Sequence, residues 1–200
     1  MIPYGRQTIE EDDIQAVVEV LRSDWLTQGP KVASFEAALA KYCGVKHAVV
    51  FSNGTAALQA AYFAAGFKEG DEFITSPLTF AATASMGLWF GARPVFADVD
   101  LETGNLDPKE TEKKITPKTK ALVPIDYSGR PADLSAFRNL AQKYNLILLE
   151  DACHALGAIY NGRRIGAVSD MTIFSFHPVK SITTGEGGAV VTNHDAFAER

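Results

Sequence analysis

From His47 onward the chain alternates short β-rich runs with stretches of helical periodicity, and this alternation restricts the fold more than any other feature. Ala48 to Phe51 precedes the helical stretch Thr55 to Ala65, Glu72 to Thr75 precedes Ala81 to Phe90, and Pro94 to Asp98 precedes a helix near Asp107. That third helix opens Asp107-Pro108-Lys109-Glu110, with a capping aspartate, a proline at the first helical position and a glutamate at the third. A strand over Ala121 to Ile125 then leads to a helix capped by Asp133 and running to Tyr144. The runs Leu146 to Leu149, Met171 to Phe176 and Ala189 to Thr192 complete the strands. Strands joined through helices pair in parallel and are buried on both faces. The pattern predicts an α/β fold, a three-layer sandwich with a mostly parallel sheet of about seven strands.

Two helices are expected before the first strand. Thr8-Ile9-Glu10-Glu11 reads as a capping box with Thr8 as the cap, and Ile14, Val17, Val18 and Leu21 mark one face of the helix it opens. After a polar turn at Thr27-Gln28-Gly29-Pro30, a second amphipathic stretch carries Phe35 and Leu39 and stops at Gly44. At the far end, Asn193-His194-Asp195 resembles a helix start. Arg200 follows after barely more than one turn with no closing signal, so the chain reads as a piece of a longer protein.

Composition narrows the partners. With 200 residues, 46% of them hydrophobic, one large core is expected. Lys and Arg number 19 against 24 Asp and Glu, for a net charge of −5, and no basic run offers a footprint for nucleic acid or an anionic membrane. A small-molecule partner is favoured. The apolar stretch from Ala56 to Gly66 is too short to span a bilayer and is interrupted by Gln59. The start, Met1-Ile2-Pro3-Tyr4-Gly5-Arg6, lacks a signal-peptide pattern, so a cytoplasmic protein is expected. Cys43 and Cys153 stand far apart and outside any CxxC spacing, which suggests neither a disulfide framework nor a metal site.

In open α/β sheets ligands collect beyond the carboxyl ends of the strands, and four segments fall there. Ser52-Asn53-Gly54-Thr55-Ala56 lies between a strand and a helix whose free amides suit a phosphate dianion, although Asn-Gly is also a common turn. Glu150-Asp151-Ala152-Cys153-His154 ends an apolar strand. Asp151 there could hold a proton on a pyridine nitrogen, or serve only as a helix cap. Phe174-Ser175-Phe176-His177-Pro178-Val179-Lys180 continues into Gly185, Gly187 and Gly188. Most lysines are solvated surface groups, but Lys180 follows a strand and precedes a glycine turn, where desolvation could make it a nucleophile toward an aldehyde. Ser175 could add a hydroxyl to a phosphate. Phe80, in Ser76-Pro77-Leu78-Thr79-Phe80, could stack on a flat ring or pack in the core.

These segments, in this order and with Leu26-Thr27-Gln28-Gly29 near the start, resemble the DegT/DnrJ/EryC1/StrS family of pyridoxal-phosphate (PLP) dependent nucleotide-sugar aminotransferases. The resemblance covers essentially the whole chain. It implies the fold-type-I architecture of aspartate aminotransferase, with PLP as cofactor. Lys180 would bond to the PLP aldehyde, Asp151 would meet the pyridine nitrogen, and Phe80 would stack on the ring. Gly54, Thr55, Ala56 and Ser175 would hold the phosphate. His154 would lie near the ring hydroxyl, and Thr27, Gln28 and Gly29 would face the nucleotide-sugar.

The resemblance also implies glutamate as amino donor, a homodimer with a shared site, and a C-terminal small domain that these 200 residues lack. The runs His177 to Gly188 and Ile125-Asp126-Tyr127-Ser128-Gly129 look most like the aminotransferase of pseudaminic acid biosynthesis, which aminates C4 of a UDP-linked 4-keto-6-deoxy-N-acetyl sugar. Two rival readings stay open. One is a non-catalytic PLP-fold binding or regulatory module, and the other is a PLP enzyme acting on another keto sugar or by another reaction.

Overall fold

The computed structural model describes residues 5–200; Met1 to Tyr4, which contribute to the leader reading, lie outside them. Among the described residues no helix is long and apolar enough to cross a membrane. The elements are α1 (Glu11–Leu21), α2 (Pro30–Cys43), β1 (His47–Phe51), α3 (Gly54–Ala64), β2 (Glu72–Thr75), α4 (Ala81–Leu88), β3 (Arg93–Phe96), α5 (Pro108–Glu112), β4 (Thr119–Val123), α6 (Leu134–Tyr144), β5 (Ile147–Asp151), β6 (Ile159–Tyr160), β7 (Arg163–Arg164), β8 (Met171–Ser175), β9 (Gly188–Thr192) and α7 (Asp195–Ala198).

Seven strands form one sheet in the order β1-β9-β8-β5-β4-β2-β3, and β6 pairs with β7 in a separate hairpin. From β3 to β8 every pairing is parallel. β9 pairs antiparallel with both β8 and β1, so it alone runs against the others. The expected mostly parallel sheet is therefore present. Six strands end at one edge, and the first residue of β9, Gly188, joins them there.

Side chains alternate across a strand, and here each alternate belongs to a different core. Ile74, Leu122, Leu148, Phe174 and Val191 pack with Leu39 of α2 and with Leu134, Phe137 and Leu140 of α6. Phe73, Ala121, Val123, Leu149, Ile173 and Val190 pack with Ala57, Leu58, Ala61 and Tyr62 of α3 and Ala82 of α4. Near-continuous apolar strands are what a sheet covered on both faces requires.

The local signals act largely as read. Asp107 accepts from the Lys109 and Glu110 amides, Asp133 accepts from Ala136, and Gly44 ends α2 in the left-handed conformation. One start is displaced. α1 begins at Glu11 with Glu10 as its cap, and the Glu10 N–H donates to the Asp13 carboxylate at 2.9 Å, so the reciprocal bond falls two residues later than Thr8. β5 also runs on through Glu150 and Asp151, beyond the apolar run that announced it.

Helix α4 sits unusually close to β2. A Cβ added at Gly87 would fall 2.2 Å from the Phe73 ring, which is fully buried and packed on Tyr62 and Phe67. Alanine favours a helix by about 1 kcal/mol over glycine, yet here it would overpack a ring with nowhere to move, at roughly 1–3 kcal/mol. Gly87→Ala is therefore expected to lower the midpoint of urea unfolding. A midpoint that holds or rises would show that α4 can move off the sheet.

Candidate active site

The carboxyl edge of the sheet opens onto a cavity of about 840 Å³. Gly54, Thr55, Phe80, Asp151, His154, Ser175 and Lys180 all line it, brought together from β1–α3, α4, β5 and β8. Ala56 does not line it, and its N–H donates to the Asn53 side chain at 2.8 Å. Thr27, Gln28 and Gly29 form a loop before α2, also outside the cavity lining, with Thr27 and Gln28 exposed.

The corner of the cavity at the start of α3 is built by close packing. A Cβ on Gly54 would lie 2.9 Å from Ser175 Cβ, and one on Gly188 would lie 2.5 Å from the Asn53 backbone. Only glycines let the start of α3 settle against the ends of β8 and β9. The Asn53 side chain caps the Ala56 amide, and the Ala57 amide bonds to Asn53 O. Gly54 and Thr55 belong to the first turn of this 11-residue helix, where backbone amides are free, and both line the cavity together with Ser175.

Asp151 is the most constrained polar group of the cavity, at 4% exposure. Its Oδ2 accepts from the Thr83 hydroxyl at 2.7 Å and its Oδ1 from the Cys153 amide at 3.2 Å. Thr83 is fully buried in α4, its hydroxyl lies 2.8 Å from that of Thr79, and its carbonyl accepts from Tyr62 at 2.6 Å. Burial, then the Asp151 carboxylate, pushes the Tyr62 phenol well above its usual range, which leaves it a donor. Sequence reasoning missed Thr83, because α4 also carries Ser85 and nothing in the sequence says which hydroxyl meets Asp151.

Lys180 is half-buried in the loop that follows β8. The loop is pinned at its neck, where Phe176 N–H donates to Gly187 O at 2.8 Å and Thr184 N–H donates to Phe176 O at 3.1 Å. His154 is held below the ordinary histidine range by burial first and by the Lys180 charge second, with Asp151 opposing. Its imidazole is thus neutral at pH 7 and can offer or accept a hydrogen bond. Burial, then Asp151, holds the Cys153 thiol protonated well above its ordinary range, which argues against its use as a sulfur nucleophile. Among the described residues no cluster of His, Cys, Asp and Glu could hold a metal.

The model of the DegT/DnrJ/EryC1/StrS aminotransferase family matches residues 7–200. The spore coat polysaccharide biosynthesis protein SpsC of Bacillus subtilis is 46% identical over 100% of this chain and 51% of its own length. The UDP-4-amino-4,6-dideoxy-N-acetyl-beta-L-altrosamine transaminase of Campylobacter jejuni is 46% identical over 97% of this chain and 52% of its own. The solved structure of Helicobacter pylori PseC, an aminotransferase involved in the biosynthesis of pseudoaminic acid, superposes with a TM-score of 0.94 at 42% identity, over 98% of this chain and 53% of that one. The chain thus spans about half the length of the curated relatives it matches.

The Thr83 contact yields a direct test. Thr83→Val keeps the shape and leaves one oxygen of a buried carboxylate without its donor, for an expected stability loss of about 1–3 kcal/mol in equilibrium denaturation. Thr83→Ser, which restores the hydroxyl, should recover most of it. A loss for Thr83→Ser with little loss for Thr83→Val would mean that methyl packing, not the hydrogen bond, is what counts at this position.

Proposed function

The chain belongs to the DegT/DnrJ/EryC1/StrS aminotransferase family, and on that footing we propose that it is the cofactor-binding half of a PLP-dependent nucleotide-sugar aminotransferase of the cytoplasm. Its reaction moves an amino group from glutamate to C4 of a UDP-linked 4-keto-6-deoxy-N-acetyl sugar, as in a pseudaminic-acid type pathway. The observation that carries the reading is the convergence of Lys180, the buried Asp151 carboxylate and the start of α3 on one cavity.

The residues present fit PLP. The Gly54 and Thr55 amides and the Ser175 hydroxyl would take its phosphate, in a corner that a side chain at position 54 would fill. Asp151, fixed by two donors and nearly closed to water, would keep a proton on the pyridine nitrogen. Phe80 is 73% exposed on the cavity wall, so its ring face is free for stacking. The neutral His154 would hydrogen-bond the ring hydroxyl. Bound PLP supplies an electron-poor ring that accepts the electron pair of a broken C–H bond.

Lys180 would hold the cofactor through its amine, and the same amine, when free, could take a proton from one carbon of the substrate and return it to another. Both half-reactions need that one amine. A short loop pinned at its neck suits this use, because it keeps the amine within reach without locking it. Thr27, Gln28 and Gly29, in the loop outside the cavity, are assigned to the nucleotide-sugar. Ile14, Val17 and Leu21 of α1 and Phe63, Leu88, Trp89 and Phe96 at the α3–α4–β3 side are all exposed. Apolar area of that extent is consistent with further protein contacts, including those of a homodimer.

Activity should be read on the full-length enzyme. Glutamate is expected to convert its PLP absorbance to that of the aminated cofactor, and the UDP-keto sugar to restore it with release of a 4-amino sugar. Asp151→Asn is expected to retain PLP yet slow the glutamate half-reaction by about 10² or more, because it removes the charge partner of the ring nitrogen. An unchanged half-reaction rate would remove Asp151 from that role. PLP uptake without any amine transfer would favour the non-catalytic module.

A further inference from the structure

Across the sheet from the cavity, two more carboxyl groups meet inside the core. Glu150 precedes Asp151 in β5 and so points to the opposite face, toward α6, while Asp126 follows β4; both are fully buried. Asp126 Oδ1 accepts from the Ala132 amide at 2.9 Å, and Glu150 Oε2 accepts from the Thr172 hydroxyl at 2.8 Å. Their other oxygens, Asp126 Oδ2 and Glu150 Oε1, have no hydrogen-bond partner and are shut from solvent. Ile125 and Asp151 bridge the two neighbouring strands and both line the cavity, so Asp126 and Glu150, each next to one of them, turn together to the opposite face.

Two ionised carboxylates cannot satisfy this arrangement, since neither has a proton to give. One proton held between them can. The pair is also tied to the cavity through the backbone. Asp126 N–H donates to Asp151 O at 3.0 Å, and Asp151 N–H donates to Pro124 O at 3.0 Å, so Asp151 is held on both sides by the segment that carries Asp126.

We propose that Asp126 and Glu150 share a single proton and act together as a positioning pair that keeps Asp151 in register at the sheet edge. For Asp151 as a cofactor ligand this rests on the aminotransferase reading; the sharing of the proton does not.

The surroundings favour holding that proton. Burial first, Glu150 second and Asp151 further down the order push Asp126 up to about 9, against the Ala132 amide. Burial pushes Glu150 up as well, while the Thr172 hydroxyl that donates to it and the Arg138 charge from α6 pull it down. Cys43 of α2 feels Glu150 as well: its thiol is pushed up to about 11 by burial, with the Arg164 charge opposing and the Glu150 charge adding. Unfolded Asp126 would release its proton near the ordinary aspartate range, about pH 4. Between that point and about 9 the folded chain holds one more proton than the unfolded one. The stability due to this proton falls as pH rises through the window and is gone above it.

The test uses Asp126→Asn and Glu150→Gln, amides of the same shape that bring their own N–H to the pair and remove the titration. The unfolding constant of the wild type divided by that of Asp126→Asn should rise about tenfold per pH unit between about pH 6 and pH 8, and Glu150→Gln should give the same trend. A ratio that stays flat with either amide overturns the shared proton. For the positioning role, PLP dissociation constants are compared across pH, because the intrinsic pH dependence of the Lys180 adduct cancels in a ratio. Wild type over Asp126→Asn should stay within about twofold at neutral pH and climb above about 9, where the pair loses its proton. A ratio unmoved by pH overturns positioning. If the wild type takes up no PLP, the cofactor reading and the positioning role both fall, and the unfolding ratio still decides the shared proton.

Discussion

A carboxylate closed to water has to be held by donors, and the way Asp151 meets that demand organises the cavity. Its Thr83 partner belongs to α4, its Cys153 partner to the turn after β5, and its own backbone bonds to the segment after β4. Three elements are thereby locked to one anion. An unpaired buried carboxylate costs several kcal/mol, so a change at any of the three would be felt at the site as well as in the core. The same anion raises the Tyr62 phenol and the Cys153 thiol, which keeps neutral groups around it and the negative charge in one place.

Most of the fold was legible because its signals are local. The expected strands match the observed ones to within two or three residues at their ends, and Asp107, Asp133 and Gly44 act as read. What was missed is long-range or contrary to composition. β9 runs against its neighbours, a fact of strand order that periodicity does not carry. The hairpin of β6 and β7 has two residues in each strand, too few for any period. β5 continues through Glu150 and Asp151 because β8 and the Asp126 segment pair with them, whereas two adjacent acids after an apolar run read as the strand's end or a helix cap.

The site divides along the same line. Lys180, Asp151, Ser175, Gly54 and Thr55 stood out because chemistry or strand-end position marked them, and all line one cavity. The Thr27 to Gly29 loop was given a site role by resemblance alone, and neither it nor Ala56, which was read with Gly54 and Thr55 at the same helix start, lines the cavity. Thr83 and the pair of Asp126 and Glu150 stayed hidden for a physical reason. Each matters through a partner far along the chain, 68 residues away for Thr83 and Asp151, and a single sequence does not show which distant polar groups meet.

The central claim is that this cavity is built around a lysine-bound cofactor, and the most direct measurement is chemical trapping. Protein incubated with PLP is reduced with borohydride, digested and mapped, with Lys180→Ala treated in parallel. The account predicts a visible absorbance band that reduction removes, a pyridoxyl group on the peptide carrying Lys180, and neither in the variant. A label spread over surface lysines, or one that persists without Lys180, would contradict it.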